Sequence, residues 1–257
     1  MRLGFFDSGL GGLIILDAVR RLLPLYDYVY FGDTENVPYG DKTEEEIFSL
    51  TKAGIEKLFD EGALLVIVAC NTASAESLRK LQDTMLVGTY ADRRLLGVVI
   101  PTVESLKESN AKNVLLVGTT RTVDSKKYAH ELFKSSKEII LFVEATPLLV
   151  SFIESDHIPE AETYLKKVIE RYKREVDTVV LGCTHYIVLK DSLRKAYPEL
   201  NFISQDEIIP KKLETYLLRH TEIETRLTKN KSIHLIESRE DTPHTNFKKA
   251  LVDRLRE

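Results

Sequence analysis

The sequence predicts an α/β protein of two similar lobes. Each lobe is a mostly parallel sheet flanked by helices, the two are related by a pseudo-two-fold duplication, and a cleft lies between them. Three observations carry this reading. Short, near-continuous apolar runs alternate with amphipathic helical segments along the 257 residues, as strands buried on both faces do with their crossover helices. The segments 66–72 and 179–185 both run from apolar strand to small residue, Cys and two polar residues, with Cys70 and Cys183 standing 113 positions apart. Two more strand ends recur at nearly that spacing: Asp7 with Thr119, 112 apart, and Asp33 with Glu144, 111 apart. Three likenesses in one order at about one offset point to an internal repeat.

The elements follow in order. Strands are expected at 3–6, 28–31, 64–69, 97–100, 114–117, 139–143, 178–181 and 201–203, with a weaker candidate at 233–236. The first leads through Gly9-Leu10-Gly11-Gly12 into a helix. Thr43-Glu44-Glu45-Glu46 has the capping-box pattern and opens a helix that runs to about Phe59. In 161–173, Tyr164, Leu165, Val168, Ile169 and Tyr172 recur at helical spacing. The last 40 residues are the most charged and least patterned, and part of them reads as a surface element.

Composition removes several function classes. The formal net charge is −4 with both signs interspersed, so no basic footprint for nucleic acid exists. No apolar stretch approaches membrane-spanning length. The apolar N-terminal stretch contains Asp7 and reads as strand, turn and helix rather than as a signal peptide. A cytoplasmic enzyme is the expectation, and its two cysteines are then expected to be free thiols. Cys183 and His185 form only a C-x-H pair and no C-x-x-C exists, so no metal site is expected. Gly9-Leu10-Gly11-Gly12, with Asp33 ending the next strand, imitates a dinucleotide loop, but Ile14 stands where the third glycine belongs.

Ligands of open parallel sheets bind at the carboxyl ends of the strands. Both cysteines are at such ends, so facing lobes would set one thiol on each side of a shared cleft. A thiolate can take a proton from one face of a carbon while a thiol delivers one to the other. The outcome is inversion of that carbon, without metal or organic cofactor if donors stabilise the developing carboxylate charge. Asp7-Ser8, Asp33-Thr34, Asn71-Thr72 and Thr184-His185 offer such polar groups at the other strand ends. Each residue also has a plainer reading. Either Cys can be an inert buried thiol. Asp7, Asp33 and Thr34 can cap turns, His185 can be structural, Tyr39 can pack on a lobe, and Glu154 can sit solvated on a helix.

Five motifs, taken together, closely resemble glutamate racemases: Phe6-Asp7-Ser8-Gly9-Leu10-Gly11-Gly12, Gly32-Asp33-Thr34, Val37-Pro38-Tyr39-Gly40, Ala69-Cys70-Asn71-Thr72-Ala73 and Leu181-Gly182-Cys183-Thr184-His185-Tyr186. The likeness covers nearly the whole chain. It implies cofactor-independent interconversion of L- and D-glutamate, supplying D-glutamate for peptidoglycan and so for cell-wall biogenesis and cell shape. It implies Cys70 and Cys183 as the acid/base pair, Asp7 assisting the first and His185 the second. Ser8, Asn71, Thr72, Thr119, Thr122 and Thr184 match substrate-contacting positions, and Glu154 matches a glutamate near the site. Asp33, Thr34, Pro38, Tyr39 and Gly40 are expected at its edge. The resemblance also implies a homodimer and a C-terminal segment that returns to the first lobe, giving 1–97 plus 208–257 and 98–207 as the lobes. Departures from the family pattern are Ile187 and Ser151 for Pro, Ile100 for Glu, the stretch 85–94, and Ser238-Arg239-Glu240-Asp241 for a small-residue turn. The rival readings are another two-thiol enzyme, acting on aspartate, a hydantoin or maleate, and an idle binding protein that kept the fold.

Overall fold

A computed structural model describes residues 1–135, 138–239 and 245–256. Among the described residues the strands are β1 (Arg2–Asp7), β2 (Tyr28–Gly32), β3 (Ala63–Val68), β4 (Arg94–Gly97), β5 (Asn113–Gly118), β6 (Ile140–Ala145), β7 (Thr178–Gly182), β8 (Asn201–Ile203) and β9 (Ile233–Glu237). They form a five-stranded sheet in the order β4-β3-β1-β2-β9 and a four-stranded sheet in the order β6-β5-β7-β8. Every pairing is parallel.

The sheets repeat one plan. Read from one edge, β4-β3-β1-β2 corresponds to β8-β7-β5-β6, and β9 is an addition to the first. Registers agree too: Asp7 of β1 lies beside Gly32 of β2, and Gly118 of β5 beside Ala145 of β6. Strands come from apolar runs because both faces are covered. All six residues of β3 are buried, and burying a Leu, Ile or Val side chain is worth about 1.5–3 kcal/mol.

The core lies in three parts. One apolar cluster is continuous between the lobes, joining Leu3, Phe5 and Leu16 to Leu115, Val179 and Leu181. Phe6, Val29, Ile55 and Phe59 form a second, under the helix Glu44–Asp60 of the first lobe. Val103, Leu106, Leu116 and Tyr128 form a third, on the outer face of the second sheet. The helix Glu44–Asp60 starts at the expected box: Glu46 N–H donates to Thr43 Oγ1 at 3.3 Å, and Thr43 N–H donates to Glu46 Oε2 at 2.8 Å.

One expectation is corrected. The strand placed at 97–100 is instead β4, ending at Gly97, and Val99–Glu108 is a helix. Pro101 stands at its third position, where a missing N–H costs no helical bond. The C-terminal stretch carries both a strand and a helix that pack into the molecule. β9 joins the first sheet beside β2, and the helix Asn246–Arg256 buries Phe247, Leu251 and Leu255. Asp27 ties this return down, its carboxylate accepting from Asn230 N, Asn230 Nδ2, Ser232 N and Ser232 Oγ at 2.7–3.1 Å. Against burial, Thr228 first and then Ser232 and Asn230 hold the carboxyl well below the usual range. Ser238 N–H donates to Gly32 O at 3.0 Å, while Glu240 and Asp241 lie outside the described residues.

Candidate active site

The strand ends of both sheets meet at one pocket. Ser8, Val37, Pro38, Tyr39, Gly40, Cys70, Asn71 and Thr72 line it from the first lobe, and Thr119, Val150, Cys183, Thr184 and His185 from the second. The lobes close tightly on it, leaving room for about one water.

On the first side, β3 ends at Val68 and Cys70 caps the short helix Asn71–Glu76. Ala73 N–H donates to Cys70 Sγ at 3.4 Å, and the thiol donates to Ser8 Oγ at 3.3 Å. Asp7, the last residue of β1, is fully buried. Its Oδ2 accepts from Gly12 N at 3.0 Å and Gly9 N at 3.3 Å, and its Oδ1 accepts from Thr184 Oγ1, of the other lobe, at 3.4 Å. The glycine loop makes this possible. A Cβ on Gly12 would lie 2.7 Å from Asp7 Cβ, and one on Gly11 would lie 2.5 Å from Thr184 Oγ1. The glycines therefore admit the second lobe, and they bring the helix N-terminus onto Asp7.

Burial raises the Asp7 carboxyl, against the pull of His185 and its own backbone donors. Burial first, then the Asp7 carboxylate, pushes the Cys70 thiol up to about 12. Cys70 thus rests as thiol, with the buried Asp7 carboxyl in its electrostatic surroundings.

On the second side, β7 ends at Gly182, and Cys183 opens the 3-10 segment Thr184–Leu189. His185 Nδ1 is 3.8 Å from Cys183 Sγ, and its Nε2 is 2.5 Å from Oε1 of Glu154, the last residue of the helix Leu149–Glu154. The imidazole is buried and stacks on Phe247 of the C-terminal helix, ring centres 5.6 Å apart. Burial opposes its charge, yet Glu154 above all, with Cys183, holds it well above the ordinary histidine range. A Cys–His–Glu chain results, in which the imidazolium can give a proton to sulfur and the neutral imidazole can take one back.

Three hydroxyls bridge the lobes beside Cys70. Thr72 Oγ1 is 2.9 Å from Thr119 Oγ1 and 3.2 Å from Thr122 Oγ1, and the latter two are 3.0 Å apart. Gly40 packs against this group, since a Cβ there would meet Thr119 Cβ at 2.8 Å. Asn71 accepts from Tyr128 Oη at 2.6 Å.

Of the sequence-predicted residues, Cys70, Cys183, His185, Ser8, Pro38, Tyr39, Gly40, Asn71, Thr72, Thr119 and Thr184 line the pocket. Asp7, Thr122 and Glu154 stand directly behind it, each bonded to a lining residue. Asp33 and Thr34 lie further off. Asp33 is buried and accepts from Tyr39 Oη at 2.7 Å, so it holds a wall residue. Thr34 Oγ1 accepts from Arg239 N at 3.4 Å. Sequence reasoning missed Val37 and Val150 as wall residues, as well as Tyr128. Nothing local marks the two valines as different from core. Among the described residues no three His, Cys, Asp or Glu side chains gather as a metal site requires, and no helix is long and apolar enough to cross a membrane.

A sequence profile described as Asp/Glu/hydantoin racemase matches residues 15–207. The glutamate racemase of Dinoroseobacter shibae is 38% identical over 240 residues, covering 87% of this chain and 86% of that protein. The glutamate racemase of Cereibacter sphaeroides ATH 2.4.1 is 39% identical over 239 residues, covering 86% and 87%. The crystal structure of glutamate racemase from Francisella tularensis in complex with D-glutamate superposes with a TM-score of 0.85 at 27% identity, covering 100% of this chain and 94% of that one.

Proposed function

The chain belongs to the Asp/Glu/hydantoin racemase family, and on that footing we propose that it interconverts L- and D-glutamate by a two-thiol mechanism, without cofactor, supplying D-glutamate for peptidoglycan in the cytoplasm. The observation that carries this reading is the pair of free, buried cysteines lining one pocket from equivalent strand ends. Glutamate, rather than another amino acid, is supported by the relatives named above and by the D-glutamate bound to the Francisella tularensis protein. The resemblance further supports a homodimer.

The chemistry is balanced at four groups. One sulfur, as thiolate, takes the proton from Cα, and the C–H electron pair spreads into the carboxylate as an enolate-like charge. The opposite thiol delivers its proton to the other face of Cα and becomes thiolate. Substrate and enzyme have each exchanged one proton, and the thiol and thiolate have traded places. Asp7 and His185, each beside one sulfur, then reset the protons. Hydroxyl and amide donors at Ser8, Asn71, Thr72, Thr119 and Thr184 meet the substrate's carboxylates, where charge develops. The substrate's ammonium, arriving in a pocket with buried Asp7 and Cys70, favours their charged forms. A space of about one water admits no amino acid, so the lobes must part for entry and close for chemistry.

The test is solvent exchange of the α-hydrogen by purified enzyme in D2O with no added cofactor. Exchange on both glutamate enantiomers, at least about 100-fold faster than on aspartate, is expected. Faster exchange on aspartate would replace glutamate as the substrate.

A further inference from the structure

Asn71 is 2% exposed and forms part of the pocket wall beside Cys70. Its two amide ends are treated differently. Oδ1 accepts a 2.6 Å hydrogen bond from the Tyr128 hydroxyl. Nδ2 is buried and has no hydrogen-bond partner among the described residues. A buried, unpaired amide N–H is costly unless something comes to meet it. The wall around it carries hydroxyls and thiols, and a carboxylate oxygen of the substrate would complete it.

Tyr128 belongs to the second lobe, on the helix Lys127–Ser135, whereas Asn71 begins the helix that Cys70 caps. The phenol is 2% exposed and packs in the outer core with Val103, Leu106 and Leu132. Burial keeps it protonated, well above the usual phenol range. Thr102 and Gln205 also face its hydroxyl. A neutral phenol has one O–H, and here it is given to Asn71.

We propose that Tyr128 is a positioning residue: its hydroxyl, reaching across the lobe interface, holds the Asn71 amide with oxygen turned away and N–H presented to a carboxylate of the amino-acid substrate. This rests on the reading of the pocket as an amino-acid site. Without the hydroxyl, the free pocket loses the bond that turns the amide oxygen away, and the flipped form sets oxygen against a carboxylate. Tyr128 touches no substrate in this scheme, and its effect passes through Asn71 alone. Because the two residues sit on different lobes, closure of the lobes would then also arm the amide.

The experiment compares wild type, Tyr128→Phe, Asn71→Ala and the double variant. Phe keeps the ring and its packing, and thermal melts check that each protein folds. Tyr128→Phe should weaken D-glutamate binding, read by calorimetry, and raise KM for both enantiomers by about fivefold to tenfold, the usual worth of one such hydrogen bond. Its kcat should stay within about threefold, because the thiols are untouched. In the Asn71→Ala background the same change should have no further effect on binding. Tyr128→Phe binding and KM at wild-type values, or an equal loss with and without Asn71, would overturn the positioning role while leaving the racemase reading intact. A folded wild type that neither binds nor exchanges glutamate would overturn that reading, and the positioning role with it.

Discussion

The two thiols occupy equivalent places in duplicated sheets, yet their surroundings share almost nothing. Cys70 caps a helix, donates to Ser8 and has a buried carboxyl, Asp7, as its neighbour. Cys183 opens a 3-10 segment and has an imidazole at 3.8 Å, itself held by Glu154 at 2.5 Å. On one side burial raises a carboxyl against its donors, and on the other a carboxylate raises a buried imidazole. The repeated sheet plan therefore gives the two thiols matching positions, and their neighbours differ in kind. The sides are also joined, since Thr184 beside Cys183 donates to Asp7 beside Cys70.

This difference has a thermodynamic limit. Enantiomers are equal in free energy, so kcat/KM must be the same in both directions at every pH. Unequal helpers can show only in kcat and KM taken separately. Asp7→Asn keeps size, His185→Asn keeps a polar group near the position of Nδ1, and each removes one titratable group. Each should lower kcat by about 10²–10³-fold, with the two variants shifting kcat unequally between L- and D-glutamate, in opposite senses. Initial rates over a concentration range for each enantiomer read this directly. Equal kcat losses in both directions for both variants would erase the distinction drawn between the sides.

A smaller effect sharpens the second side alone. Glu154 is the chief group holding the His185 imidazolium against burial. His185 is charged below its pKa, so removing the carboxylate lowers the pH at which that charge is lost. Glu154→Gln should cost about tenfold in kcat at neutral pH and move the alkaline limb of the kcat profile to lower pH. The profile of Asp7→Asn should not move that way. An unmoved alkaline limb in Glu154→Gln would remove the imidazolium from the account.

Much of this was legible in the sequence, for reasons that differ by element. β1, β3, β5 and β7 are central strands, buried on both faces, and their unbroken apolar runs identify them. The paired cysteines were legible because a duplication repeats its offset. β4 was misplaced because 95–100 is apolar apart from Gly97 and ends in the β-branched Val98, Val99 and Ile100, so periodicity cannot divide strand from helix. Pro101 was the available clue. β9 was weak because it is an edge strand with His234 and Glu237 in five residues, and its partner β2 lies some 200 residues away in the chain. In the site, strand-end residues were readable by position, whereas Tyr128 and Phe247 act across the lobe interface. Their partners Asn71 and His185 are 57 and 62 positions away, and no local pattern encodes such a meeting.

The central claim is that two different sulfurs serve the two faces of one carbon. Early-time label distribution in D2O tests it most directly, with L- and D-glutamate as separate starting substrates. The account predicts deuterium in the newly formed enantiomer from the first turnovers, little in the remaining substrate, and loss of racemisation by about 10³-fold or more in Cys70→Ala and Cys183→Ala alike. Deuterium appearing equally in substrate and product from the start, or either cysteine variant racemising at the wild-type rate, would contradict it.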